Sequence, residues 1–199
     1  MDIHYSQHYV HWNYFLAIEK DFEQISRYVE FAEDNNSTYS IEFARAIMAS
    51  AQEIDGILKK ICQILLPKSK AKNINDYQII ISQQLPQFIT ENAYLPRFGM
   101  SSQPWINWAS GKSPDWWQAN NNIKHERTSN LKDANLKNGY NAIAALLITT
   151  LYYYKLDEWQ KGKEMDWKNL TLKLKPQSSL FVLDESYYHG DVITGEIEW

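Results

Sequence analysis

Residues 130–156 read NLKDANLKNGYNAIAALLITTLYYYKL, and the spacing of their apolar positions decides the fold class. Ala134, Asn138, Asn141, Ala145, Ile148 and Tyr152 fall three or four apart, with Leu136, Tyr140, Ile143 and Leu147 beside them, a broad stripe at the period of an α-helix. No proline interrupts it. A helix apolar over so much of its surface must be covered by neighbours, so these residues predict the central helix of a bundle. Its oiliest part, Ala142 to Tyr154, is shorter than the run of about 20 apolar residues that a bilayer-spanning helix needs.

Upstream, Phe15, Ile18, Phe22, Ile25 and Val29 predict an amphipathic helix over residues 12–31, ended by Asp34-Asn35-Asn36-Ser37. Ser40 can cap a second helix whose seam, Ile41, Ala44, Met48, Ala51, Asp55, Leu58, Cys62 and Leu65, stops before Pro67. Asn73 opens a shorter helix through Leu85, and Pro86 and Pro96 then break the pattern. Residues 97–115 hold Gly99, Pro104, Gly111 and Pro114 together with Trp105 and Trp108, an aromatic loop expected to pack on the body. Pro114 suits the first turn of the next helix, with Ser113 as its cap, and that helix carries Trp116-Trp117 toward Lys124-His125.

After Lys163 the pattern changes. Residues 170–175 alternate and residues 179–183 form a short apolar run, both predicting strands. The expected fold class is therefore mainly α: a bundle of about five helices over residues 1–163, with residues 164–199 as a small C-terminal β hairpin or extended tail packed on the same domain.

Composition narrows the function classes. With 199 residues, 44% of them hydrophobic, the chain can bury a sizeable core. A net charge of −4 gives no overall nucleic-acid footprint, so any phosphate contact must be local. The lone cysteine, Cys62, reads as a buried small hydrophobe. Met1 to Ser6 contain neither a basic start nor an apolar run, and a cytoplasmic protein without a membrane partner is expected. Glycine-rich phosphate loops, nucleophile elbows, paired-cysteine motifs and zinc-protease helices are absent from the sequence. His4, His8 and His11 could share a helical face but have no cysteine or acidic ligand among them, so neither metal nor cofactor is expected.

The polar segment Asn121 to Arg127 is the leading candidate site. His125 can exchange a proton near neutral pH, Lys124 and Arg127 can stabilise charge on a phosphoryl group, and Asn121 lies one helical turn before His125. The alternative is a solvated helical turn. Asp55, the one acid on its apolar seam, requires a partner if buried, and Lys124, His125 or Arg127 would serve, with Glu53 pointing away. Asn138 and Asn141 on the long helix would bond a neighbouring helix or support His125. Trp105 and Trp108 could stack bases or meet a protein partner, although most tryptophans in such a chain belong to the core.

A helical body with Asn121, Lys124, His125 and Arg127 on a polar segment followed by an amphipathic helix resembles the HEPN superfamily. That resemblance covers roughly residues 12–156. It implies a homodimeric helical bundle acting as a metal-independent endoribonuclease in prokaryotic defence or toxin-antitoxin systems. His125 would take the family histidine's role and Asn121 that of the motif's polar residue. The arginine expected before the histidine is missing, because Gln118, Ala119 and Asn120 occupy those positions. Lys124 or Arg127 would have to supply the cation; otherwise the chain would be a non-catalytic module recognising a nucleotide, RNA or a protein partner.

Overall fold

A computed structural model of the chain describes residues 8–189. Among these residues the fold is mainly α with one small β hairpin. Helices α1 (Val10–Ile25), α2 (Ile41–Leu65), α3 (Ile74–Gln84) and the short α4 (Gln87–Thr90) come first. Strands β1 (Ala93–Leu95) and β2 (Met100–Ser102) pair antiparallel, and α5 (Asp115–Asn130), α6 (Leu136–Gln160) and α7 (Trp167–Lys173) follow. None of the described helices is long and apolar enough to cross a membrane.

Helix starts follow the local capping chemistry. Ser40 Oγ accepts the Phe43 N–H at 3.1 Å to open α2, and Asn73 Oδ1 accepts from Asn75 and Asp76 to open α3. Asn135 Oδ1 accepts the Asn138 N–H at 2.9 Å, so α6 begins at Leu136 and residues 131–133 form a separate 3₁₀ turn. Pro114 is itself the residue before α5, which removes Ser113 from the capping role expected of it. α1 stops at Ile25 rather than at Phe31.

Helix α6 is the central one: every residue from Ala142 to Tyr152 is buried, and α1, α2, α5 and α7 all contact it. α2 and α6 start at the same end, where Ser40 N–H donates to Ala134 O at 3.1 Å and Leu136 N–H to Thr38 O at 2.9 Å. Gly139 permits the close approach there. A Cβ on it would lie 2.9 Å from Phe22 Cε2 and 3.3 Å from Phe43 Cδ1. Trp105 and Trp108 sit in an aromatic cluster with Phe88, and Trp105 also packs against Trp116. Cys62 is fully buried, and burial, helped by the charge of Asp76, pushes its thiol up to about 12.

The C-terminal expectations divide. Residues 167–173 form α7 rather than a strand, because Asp166 Oδ1 caps the helix through the Asn169 N–H, while Leu170, Thr171 and Leu174 bury one helical face. Leu172, which completed the apparent alternation, is 50% exposed. The hairpin lies instead at residues 93–102, turned by Pro96 and by Gly99 at φ +62°. Residues 179–183 are an extended tail that touches it once, Tyr94 and Val182 exchanging N–H···O bonds of 2.7 and 2.9 Å. Leu170, Leu174, Leu180 and Phe181 join the common core, so the described part of the tail belongs to the same packed unit.

One buried carboxylate anchors that tail. Glu19 of α1, 2% exposed, accepts from the Ser178 hydroxyl and from the N–H groups of Ser179, Leu180 and Phe181, the last three at 3.1–3.2 Å.

Candidate functional site

Helix α5 carries the candidate segment. Asp115 in its first turn faces the positive end of the helix dipole, and Trp116, Trp117, Ala119, Asn120 and Ile123 form its buried face. Beyond Ile123 the helix emerges: residues 124–129 are all exposed. Glu126, at φ −152° and ψ 77°, interrupts the helical backbone. Asparagines hold this break, with Asn130 Nδ2 donating to Glu126 O at 2.9 Å and Asn122 Nδ2 to Asp133 Oδ2 at 2.8 Å.

Where α5 packs on α2, a groove of about 620 Å³ opens. Arg45, Gln52 and Asp55 line it from α2, and Trp117, Asn120, Asn121 and Lys124 from α5, with Tyr14 of α1 at its edge. The 3₁₀ turn after α5 leads to Ala134, whose carbonyl meets Ser40 at the start of α2, so the two helices run antiparallel. Lys124 therefore lies toward Arg45, and Trp117 toward Asp55. At 1.5 Å per residue the cationic and acidic ends are about 10–15 Å apart.

The polar groups of this groove are largely unengaged. Among the described residues, Gln52, Asn120, Asn121 and Lys124 make no side-chain hydrogen bond or ion pair, although Asn120 is only 9% exposed. Arg45 pairs at 2.9 Å with Glu42, but both side chains are largely exposed, and such a pair contributes little and can open. Gln52, Asn121 and Lys124 are exposed, whereas a buried amide such as Asn120 ordinarily finds a partner, so the concave surface is suited to a polar ligand.

Asp55 is half-buried at the margin of the α2 core and has no ion pair with Lys124, His125 or Arg127. Its expected burial rested on a seam drawn slightly off axis: Ile41 and Met48 are exposed, while Phe43, Ile47, Ile54, Ile57 and Ile61 are buried. Behind Asp55 lies the buried Tyr77 of α3. Burial first, then the Asp55 charge and the approach of its carboxylate to the hydroxyl, raise the Tyr77 phenol above its ordinary range. That approach falls short of a well-aligned hydrogen bond.

Of the other expected site residues, His125 and Arg127 are exposed and do not line the groove. Asn138 and Asn141 are occupied elsewhere. Asn138 Nδ2 donates to Asp133 O, Asn141 Nδ2 to Lys137 O, and Ser102 Oγ to Asn141 Oδ1, so neither supports His125. Trp105 and Trp108 are 0% and 3% exposed, which removes them as a stacking or partner surface.

A second polar cluster escaped the sequence reading. His11 Nδ1 lies 2.5 Å from Glu53 Oε1 and its Nε2 3.0 Å from Lys60 Nζ, while its backbone N–H donates to Tyr154 Oη at 3.1 Å. Glu53 therefore points toward α1 rather than away. His8 is exposed, and His4 lies outside the described residues. The spacing of Glu53 and Lys60, seven residues or two turns apart on one face of α2, was the available signal. Comparison with family models, with curated proteins and with solved structures returns no match to this chain.

Proposed function

We propose that this chain is a HEPN-like helical module that binds single-stranded RNA or a nucleotide in the groove between α2 and α5. The observation that carries this reading is the polarity of that groove. Arg45 and Lys124 stand at one end, Asp55 and Trp117 at the other, with free amides between them. Cations recognise phosphate, and amides and carboxylates recognise base edges. The resemblance would make the protein a cytoplasmic homodimer of a prokaryotic defence or toxin-antitoxin system.

RNA cleavage is the second reading, favoured by the place of His125 one helical turn beyond the groove residue Asn121. His125 would act as acid or base on the 2′-hydroxyl, with Lys124 or Arg127 stabilising charge on the phosphorus, on a surface completed by a second copy. One experiment tests both. Single-stranded RNA is incubated with the full chain in chelator, and binding and cleavage are followed for wild type, Arg45→Ala/Lys124→Ala and His125→Ala. Loss of the two cations is expected to weaken binding at least tenfold. Unchanged binding refutes the groove; equal cleavage by wild type and His125→Ala, or none by either, refutes the catalytic role.

A further inference from the structure

We propose that the groove selects guanine, with Asp55 as the residue that reads the base; this rests on the nucleotide-binding role proposed above. Three observations lead to it. Asp55 lines the groove, half-buried, and makes no ion pair among the described residues. The Tyr77 hydroxyl behind it can engage only part of its acceptor capacity, since an ionised carboxylate offers about four lone-pair sites. The antiparallel packing of α2 and α5 places Asp55 toward one end of the groove and both cations toward the other, about 10–15 Å away along the helices. That is the scale of one nucleotide from phosphate to base edge.

The chemistry of the four bases then decides between them. Guanine alone offers two adjacent donors on its Watson–Crick edge, N1–H and the N2 amino group, which match the two oxygens of a carboxylate. Adenine places an acceptor, N1, beside its amino group, and cytosine does the same with N3. Uracil's single N3–H lies between two carbonyl oxygens. Each of these brings a lone pair against Asp55, whereas guanine makes paired charge-assisted hydrogen bonds. A site built around donors on its ligand rejects analogues that lack them, because its own polar group is left unpaired. The amides of Gln52, Asn120 and Asn121 remain for the sugar and the O6 and N7 acceptors of the base.

The test is equilibrium dialysis of the full chain against GMP, AMP, CMP, UMP and IMP. GMP is expected to bind at least tenfold more tightly than AMP, CMP or UMP. IMP, which keeps N1–H but lacks the 2-amino group, should fall between and needs no variant. Asp55→Asn should abolish the preference, while Lys124→Ala should weaken all five by a common factor. Equal affinity for the four common nucleotides, or IMP equal to GMP, overturns the guanine assignment and leaves the groove standing. No binding of any nucleotide also overturns it, and RNA binding by the same preparation reports separately on the groove.

Discussion

Replacing Glu19 by alanine should destabilise the protein by about 2–5 kcal/mol, and the magnitude follows from where its hydrogen bonds go. The carboxylate gathers the Ser178 hydroxyl and three successive N–H groups at the turn into the tail. Leu180 N–H has no other acceptor among the described residues, so the substitution orphans it at a cost of about 1–3 kcal/mol. Phe181 N–H keeps Ser178 Oγ at 3.0 Å, and Ser179 is exposed, so these two lose less. The vacated side-chain volume beside Phe181 adds about 1–2 kcal/mol. Because the acid has no ion pair among the described residues, removing it also relieves its desolvation, which keeps the total below the simple sum of four charge-assisted bonds. For a chain of this size the loss corresponds to a fall of roughly 5–15 °C in Tm. Urea denaturation gives the free energy, and limited proteolysis should show the tail after Lys175 cut first. Glu19→Gln, which retains one carbonyl acceptor, should lose about half as much. A loss below about 1 kcal/mol for the alanine variant, with the tail still protected, would refute the anchoring role.

Two further outcomes test the core. Gly139→Ala should destabilise by about 1–3 kcal/mol, measured by urea denaturation, because its Cβ meets the fully buried rings of Phe22 and Phe43, which must shift within the packed core. Raising the pH above about 10 should unfold the chain cooperatively. Burial and the shared Glu91 carboxylate hold the Tyr152 and Tyr187 phenols above their ordinary range, and burial raises Tyr154 as well. With the folded value raised, only the unfolded state releases these protons just above pH 10, so stability is intact below that pH and falls as it is exceeded. Tyrosinate absorbance should rise together with the loss of helical circular dichroism, and a separate, earlier rise of the full amplitude would contradict it.

The helices were legible where side chains report on the backbone locally. Ser40 and Asn73 cap as their types suggest, and the density of apolar residues after Ala142 marks a helix enclosed on every side. The C-terminal strands failed for a physical reason. Leu170, Leu172 and Leu174 alternate, but two of the three also satisfy helical spacing, and the cap at Asp166 together with burial against the body decides for the helix. Likewise the β1–β2 hairpin is three residues a side, too short for alternation to register, and is supported by the tail at Val182, far away in sequence.

The candidate site was half legible, and helix geometry explains which half. Lys124 and His125 are adjacent on α5, so their side chains are turned about 100° apart, and the helical backbone breaks at Glu126 before Arg127. Trp117, Asn120, Asn121 and Lys124 are spaced by three, one and three, which follows one edge of α5 from its buried face outward; Lys124 and Asn121 consequently line the groove and His125 does not. The same period on α2 leads from Arg45 through Met48 and Gln52 to Asp55, a flank of the core rather than its centre. What one sequence cannot encode locally is that these two edges face each other. That depends on the 3₁₀ turn at residues 131–133 and on the Ser40 to Ala134 bond, which reverse α5 against α2 and so set the cations at one end and the carboxylate at the other.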